Sequence, residues 1–223
     1  MKKDNISRRT FLKTGIAVGA GLYGLSYLSS FERPRPLKTF KENRLKKGMV
    51  VVHGDVDERN DENSVIKEMV NRGIKAIGGM DKLVSRGDNV VIKPNIAWDR
   101  KPEYAVNTNP FVVAALVGMC LEAGANRVKV FDHTCASNPD TSYTNSGIEK
   151  AAKEAGAVVR FVDKGLFKNI KIPDGKVLDS WTFYEELIYQ DETDVLINVP
   201  IAKQHSASRL SMALKNTLGM VGG

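Results

Sequence analysis

Cysteine is scarce in this sequence, and its scarcity excludes two classes of protein. Cys120 and Cys135 are the only cysteines among 223 residues. Two thiols cannot build a disulfide framework, and they cannot supply the four thiolates that hold an iron–sulfur cluster. We therefore expect no intrinsic iron–sulfur cluster, and the sequence identifies no other cofactor. Whether the two thiols form one disulfide or stay reduced is left open by the sequence.

An apolar run long enough to span a bilayer is also lacking near the start of the chain. Thr14 to Leu28 are 15 uncharged, mildly apolar residues, whereas a membrane-spanning helix needs about 20. Just before them, Ser7 to Lys13 match the twin-arginine export pattern, with Arg8 and Arg9 as the arginine pair. Residues 1–30 are therefore predicted to be a signal segment that engages the twin-arginine translocase.

This prediction also sets the location and the domain boundaries. We expect export to the periplasm or cell envelope, with membrane contact only through the signal segment, which becomes an anchor if it is not cleaved. Residues 31–48 contain Pro34, Pro36 and scattered basic residues, which is typical of a tether. Residues 49–223 form the predicted folded domain, and we expect it to be the N-terminal part of a longer domain.

The folded body has little net charge, which argues against a nucleic-acid partner. The chain carries a net charge of +7, and Met1 to Ser30 contain five Lys or Arg and one Asp, hence four of those seven charges. A small positive excess with both signs interspersed is not typical of a nucleic-acid-binding domain. From residue 49 onward there is also no Walker loop, G-x-G-x-x-G, H-E-x-x-H or G-x-S-x-G motif.

The body alternates strand-like and helix-like segments. The predicted strands are Met49–His53, Asn89–Lys93, Arg127–Phe131, Val158–Val162 and Asp194–Val199. The predicted helices are Ser64–Ile77, Asn109–Ala123, Ser146–Ala155 with a Ser146/Glu149 capping box, and a segment around Ser208–Leu214. A hairpin is expected around Pro173–Gly175. This alternation predicts an α/β fold with a mostly parallel sheet and helices on both of its faces. We expect this domain to be truncated at its C-terminus.

Polar residues follow three of the predicted strands. Lys93 and Asn95 follow one strand, Asp132 follows another, and Lys203 and His205 follow the last. Ligands of parallel sheets bind beyond the carboxyl ends of the strands. Lysines there would attract an anion, and Asn95 would orient it. The candidate catalytic residues are Lys203 and His205, with His205 transferring a proton, and Asp132 would orient a histidine or bind a cation. Ordinary solvated loop residues are the alternative.

His133 and Cys135 form an H-x-C triplet beside Asp132. Imidazole and thiolate are ligands of transition metals, so the triplet is a candidate metal site. A closed zinc site needs about four ligands, and no second Cys/His pair lies nearby in the sequence. The metal prediction is correspondingly the weaker one.

Several segments resemble one protein family in the same order. They are VVIKPNI at Val90–Ile96, the segments Thr108–Asp132 and Ser146–Asp163, and DVLINVPIAKQHSASRLSMALKNTLGMVGG at Asp194–Gly223. These segments resemble the domain of unknown function 362 family. Carried over by position, the resemblance marks a polar signature of Lys93, Asn95, Lys203, His205, Lys215, Asn216 and Gly219.

The resemblance leaves the function open between different classes. Many family members look like redox or iron–sulfur proteins with an added cysteine cluster, which this chain lacks. Our leading hypothesis is an exported protein that binds an anionic small molecule or a metal-linked cofactor in a strand-end pocket, with enzymatic activity unassigned. Lys215 and Asn216 would join the site. The alternatives are a non-catalytic electron-transfer partner of an iron–sulfur protein and a structural secreted module.

Overall fold

The computed structural model describes residues 49–55, 61–162, 164–172, 174–184 and 193–222. Their helices are α1 (Glu62–Ile77), α2 (Pro110–Glu122), α3 (Pro139–Asn145), α4 (Ile148–Glu154) and α5 (Ala213–Asn216). Their strands are β1 (Asn89–Pro94), β2 (Arg127–Val130), β3 (Val158–Val159), β4 (Phe167–Lys171), β5 (Ser180–Tyr184), β6 (Val195–Val199), β7 (Lys203–His205) and β8 (Arg209–Ser211). The predicted signal segment and tether lie outside the described residues.

Four strands form one parallel sheet in the order β3-β2-β1-β6. Val90 of β1 lies opposite Val128 of β2 and Val195 of β6, which fixes the register on both sides of β1. The other four strands form two antiparallel hairpins, β4–β5 and β7–β8. The predicted α/β class with a parallel sheet and surrounding helices is confirmed, and so is the hairpin expected near residue 174.

One face of the sheet packs against helices. Alternate residues of β1 and β2, among them Val90, Ile92 and Val130, join Val113 and Val117 of α2 in one buried cluster. Burying a side chain of this size contributes roughly 1.5–3 kcal/mol. Because α2 is apolar nearly all round, it lies between the sheet and its helical neighbours α1 and α4. Its start is also as predicted, since the Asn109 side chain accepts a hydrogen bond from the Phe111 amide.

The opposite face of the sheet is covered by a hairpin and a short turn. Val91 and Leu196 pack there with Phe131, Tyr184 and Met220, and the Phe131 and Tyr184 rings stack with centroids 5.2 Å apart. Tyr184 belongs to β5, and Met220 belongs to the 3₁₀ turn Thr217–Met220. The C-terminal segment is tied to the same hairpin, because the Gly222 amide donates to the Thr182 carbonyl at 2.9 Å.

Three predicted elements are wrong in type or extent. Residues 49–53 form no strand, because Met49 and Val51 are more than four-fifths exposed while Val52 and Gly54 lie against α1. The helix predicted at 208–214 is instead β8 followed by α5, since Arg209 to Ser211 pair with β7. The strand predicted over 158–162 is shorter, and only Val158 and Val159 pair with β2.

The predicted capping box is also wrong. Helix α4 begins at Ile148 with Gly147, not Ser146, as its N-cap, and Ser146 Oγ accepts only a long 3.4 Å hydrogen bond from the Ile148 amide. The Ser146 hydroxyl donates instead to the Tyr143 carbonyl at 3.0 Å, and Glu149 accepts from Lys153 at 2.6 Å. The reason is that a separate helix, α3, precedes α4 and holds Ser146 in helical backbone at its C-terminal end.

Candidate functional site

The site lies where the order of the parallel strands reverses. The chain adds β2 and β3 on one side of β1 and later adds β6 on the other side. In α/β sheets the crevice at such a switch point is where ligands bind, and we refer to the region between the carboxyl ends of β1 and β6 as the crevice. Lys93 and Pro94 end β1 opposite Asn198 and Val199 of β6, so these residues line the crevice.

The centre of the crevice is a buried ion pair. Lys93 Nζ donates to Asp132 Oδ1 at 2.6 Å, and both side chains are almost wholly buried. Lys93 Nζ also donates to the Pro94 carbonyl and to Asn216 Oδ1, so all three ammonium protons have acceptors. Asp132 Oδ2 accepts from the Ile96 amide at 2.6 Å. The pair is therefore complete without a ligand.

Burial and pairing oppose each other at this ion pair. Removal from water lowers the pKa of Lys93 and raises the pKa of Asp132, in each case against the charged form. The contact between the two side chains acts in the other direction on both groups. Three acceptors around Lys93 and two amide donors around Asp132 fit the charged forms of both, so the pair contributes no net charge to the crevice.

Two asparagines connect the segments around the ion pair. Asn216 Oδ1 accepts from Asn95 Nδ2 at 3.1 Å, and Asn216 Nδ2 donates to Asn198 Oδ1 at 2.7 Å and to the Lys93 carbonyl. Asn216 ends α5, so it fixes the C-terminal segment against the ends of β1 and β6. Gly219 then lies directly over the ion pair, since a Cβ there would clash with Asp132 Oδ1 and lie 3.0 Å from Lys93 Nζ.

Lys203 reaches into the same network from β7. Its Nζ donates to Asn95 Oδ1 at 2.8 Å and to the Val106 carbonyl. Both acceptors are neutral, and no ion pair to Lys203 is present among the described residues. Burial lowers the pKa of Lys203, and the positive charge of Lys215 lowers it further. The Asp132 carboxylate acts on this pKa in the opposite direction, but no carboxylate forms an ion pair with Lys203 in the described part of the chain, and one of its three protons has no acceptor there.

Lys215 precedes Asn216 in α5 and is partly buried. In the part of the chain that the structure describes, its ammonium has neither a hydrogen-bond acceptor nor an ion pair. Its effect on the pKa of Lys203 shows that the two charges lie close enough to repel each other. The segment from Val195 to Gly222 contains Lys203, Arg209 and Lys215 but no Asp or Glu, so no neighbour in this segment neutralises them.

His205 is a predicted site residue that takes no part in the hydrogen-bond network. It lies on β7 opposite Arg209, and its Nδ1 accepts from the amides of Ala207 and Ser208, both at 3.2 Å. Since Nδ1 is an acceptor, the proton of the neutral ring is on Nε2. His205 and Lys203 are two residues apart on one strand and therefore share a face of β7.

The candidate metal residues lie beside the ion pair but gather no further ligand. His133 is partly buried, and its ring packs in a tilted arrangement against Phe167, with ring centroids 5.7 Å apart. Cys135 is exposed and unpaired, and Cys120 is buried and unpaired. Among the described residues no group of three or more His, Cys, Asp or Glu side chains could hold a metal ion. The metal prediction therefore remains a prediction with two ligands.

Sequence reasoning missed three residues that build the site. Tyr143 Oη donates to the Asp132 carbonyl and accepts from the Asp132 amide, both at 2.6 Å. Thr108 Oγ1 accepts from the Asn95 amide and donates to the Val199 carbonyl, which ties β1 to β6. Asn198 accepts from Asn216. A polar residue inside an apolar strand is a usable signal, so Asn198 could have been found, whereas Thr108 and Tyr143 carry no such mark.

An open groove of about 940 Å³ lies elsewhere, between α1 and α2. Small residues of α2, including Ala114 and Gly118, line it together with charged side chains of α1. None of the predicted site residues takes part in it. The groove and the strand-end crevice are therefore separate features.

Comparison with known proteins identifies the family and the export signal. Residues 90–223 match the model of the domain of unknown function DUF362, which includes every residue of the crevice network. The chain belongs to the DUF362 family. Residues 5–22 match the signal sequence of the twin-arginine translocation pathway. The protein is therefore exported by that translocase toward the periplasm or cell envelope, and Arg8 and Arg9 lie in the matched segment.

A curated relative extends the comparison. A thylakoid-associated protein of Synechocystis sp. is 25% identical over 156 residues, which cover 67% of this chain and 44% of the relative. The chain thus spans less than half the length of that relative. No solved structure matches this chain. Within the described residues no helix is long and apolar enough to cross a membrane.

Proposed function

We propose that this exported DUF362 protein binds an anionic small molecule in the crevice between the ends of β1 and β6. The observation that carries the proposal is the pair of unneutralised lysines, Lys203 and Lys215, beside a network whose own acceptors are already used. Lys93 and Asp132 satisfy each other, and Asn216 is fully hydrogen-bonded. The groups that remain available for a ligand are ammonium protons of Lys203 and Lys215, and these donors bind anions.

The cost of leaving the two lysines together supports the same conclusion. Lys203 is partly desolvated and repelled by Lys215, and both effects lower its pKa. A site that holds two like charges close together in a partly dry place gains free energy when an opposite charge enters between them. The crevice is thus arranged for an occupant that the free protein lacks.

Within this proposal the predicted residues take different roles. Lys203 and Lys215 supply the positive charge, and Asn95 and Asn216 hold Lys203 and the C-terminal segment in place. Lys93 and Asp132 act as the buried support of the crevice rather than as ligand contacts. His205 is placed to donate from Nε2 to a ligand on the Lys203 face of β7, and it is the candidate for proton transfer.

The test is anion binding that depends on Lys203. The thermal unfolding midpoint of the full chain is measured with sulfate, phosphate, acetate and citrate at constant ionic strength, for wild type and for Lys203→Gln. The matched control is Lys75→Gln, because Lys75 is an exposed lysine in the last turn of α1. We expect at least one anion to raise the midpoint of wild type and Lys75→Gln but not of Lys203→Gln.

Two outcomes would contradict the proposal. One is that no anion in the panel stabilises the wild type beyond the general effect of salt. The other is that Lys203→Gln retains the full stabilisation. The pH dependence is a further check, since binding that requires protonated Lys203 declines as pH rises through the lowered pKa of Lys203, below the range of an ordinary lysine.

A further inference from the structure

The charge balance of the crevice indicates how many negative charges the ligand carries. Three lysines lie there, but the 2.6 Å contact with Asp132 neutralises Lys93. Lys203 donates only to Asn95 Oδ1 and the Val106 carbonyl, which are neutral, and Lys215 has no acceptor among the described residues. The described part of the crevice therefore carries two uncompensated positive charges.

The structure brings both lysines to the same end of the sheet. Lys203 Nζ binds Asn95 Oδ1 at 2.8 Å, and Asn95 Nδ2 binds Asn216 Oδ1 at 3.1 Å. Lys215 is the neighbour of Asn216 in the chain, so a single relay of two amides links the two lysines. Asn216 is itself fixed to the ends of β1 and β6 through Lys93 and Asn198. These hydrogen bonds thus hold the backbone of Lys215 near Lys203, and the positive charge of Lys215 is close enough to lower the pKa of Lys203.

The kind of donor matters as well as the number. Both free donors are ammonium groups, which are compact point charges with three protons pointing in different directions. Planar carboxylates are best matched by the two parallel donors of a guanidinium. Ammonium groups suit a compact oxyanion whose oxygens point in several directions, such as a phosphate or sulfate group.

We propose that the crevice between β1 and β6 selects a doubly charged tetrahedral oxyanion group, a phosphate or sulfate moiety, over a singly charged anion. This inference rests on the proposed function and adds the class of ligand to it. One negative charge neutralises one lysine and leaves the other uncompensated, whereas a dianion balances both. For partly exposed charges a few ångströms apart, the second charge is worth on the order of a tenfold gain in affinity.

The experiment separates charge from shape. Binding of sulfate, methanesulfonate and acetate to the full chain is measured by isothermal titration calorimetry at one pH and one ionic strength. Methanesulfonate has the tetrahedral shape of sulfate with one charge fewer, and acetate is planar with one charge. We expect sulfate to bind about tenfold or more tightly than either monoanion.

Variants then assign the selectivity to its residues. Lys215→Gln is expected to remove most of the preference for sulfate over methanesulfonate and to leave residual binding of both. Lys203→Gln is expected to remove binding of both, and Lys75→Gln to behave as wild type. Circular dichroism of each variant checks that a loss of binding is not a loss of fold.

The possible failures are distinguishable. If methanesulfonate or acetate binds as tightly as sulfate and that binding still requires Lys203, the crevice binds anions but does not select dianions, and this inference is wrong. If sulfate selectivity persists in Lys215→Gln, the two-lysine explanation is wrong. If no anion binds, or if binding ignores Lys203, the proposed function itself fails and this inference fails with it.

Discussion

Replacing Lys93 by methionine tests the physical basis of the site most directly. The substitution keeps an unbranched side chain of similar length but removes the charge, so Asp132 is left buried without its partner. Lys93 and Asp132 are 1% and 3% exposed, so water cannot replace the lost contact. Breaking a buried pair by removing one member typically costs about 3–5 kcal/mol.

This cost is large relative to the stability of a typical domain, which is roughly 5–15 kcal/mol. The double variant Lys93→Met/Asp132→Asn removes both charges and keeps an oxygen to accept from the Ile96 amide. We expect it to be more stable than the Lys93→Met single variant, because no unpaired charge remains. The free energies of unfolding come from urea denaturation of the full chain at pH 7.

The pH dependence gives an independent signature. Burial raises the pKa of Asp132, and without Lys93 only the backbone amides of Ile96 and His133 oppose that rise. The folded Lys93→Met variant then takes up a proton at a higher pH than its unfolded chain does. Its stability deficit relative to wild type should therefore shrink as pH falls through the raised pKa of Asp132 and be largest at neutral pH.

The matched control is Lys153→Met, because Lys153 and Glu149 form an equally short pair of 2.6 Å with a half-exposed lysine. Exposed pairs of this kind contribute about 0.3–0.5 kcal/mol, so the control should lose little. The reasoning is refuted if Lys93→Met loses less than about 1 kcal/mol of unfolding free energy, which is the most that exposed pairs contribute. It is also refuted if the stability deficit of this variant does not change with pH.

Two further predictions concern the residues packed around the ion pair. Gly219→Ala should lower the free energy of unfolding in urea by about 1–3 kcal/mol, because the new Cβ would overlap Asp132 Oδ1. The control is Gly118→Ala, since open space surrounds Gly118 inside α2. This control should raise the free energy of unfolding by up to ~1 kcal/mol. Tyr143→Phe should cost about 1–3 kcal/mol by the same measurement, because it removes the partner of the Asp132 amide and carbonyl; a cost near zero would show that these groups find other partners.

Much of the fold could be predicted because its signals are local. Asn109 and Pro110 mark the start of α2, and the apolar strands β1, β2 and β6 stand out as short runs within a polar chain. The errors fall where two local signals compete. The segment 208–214 has no pattern that distinguishes a hairpin strand from a helix, and its pairing with β7 decided the outcome. The run at 49–53 is strand-like, yet in the described residues it pairs with no strand.

The sequence could predict which strand ends lie together, but not the roles of the residues on them. Parallel strands place their carboxyl ends on one edge, so Lys93, Asn95 and Asp132 were expected near one another before any contact was known. Which of the lysines remains charged and available was not predictable. That depends on Asp132 lying against Lys93 and on Gly219 closing over both, and neither contact leaves a trace in local sequence.

The sequence by itself determined the export signal, the family and the alternation of strands and helices, because each is written in residues that lie next to one another. Only the tertiary structure decided that Lys93 is neutralised while Lys203 and Lys215 are not. Lys93 meets Asp132 across 39 positions and Asn216 across 123. Contacts over such distances depend on the order of the strands in the sheet, which brings the ends of β1, β2 and β6 to a single edge.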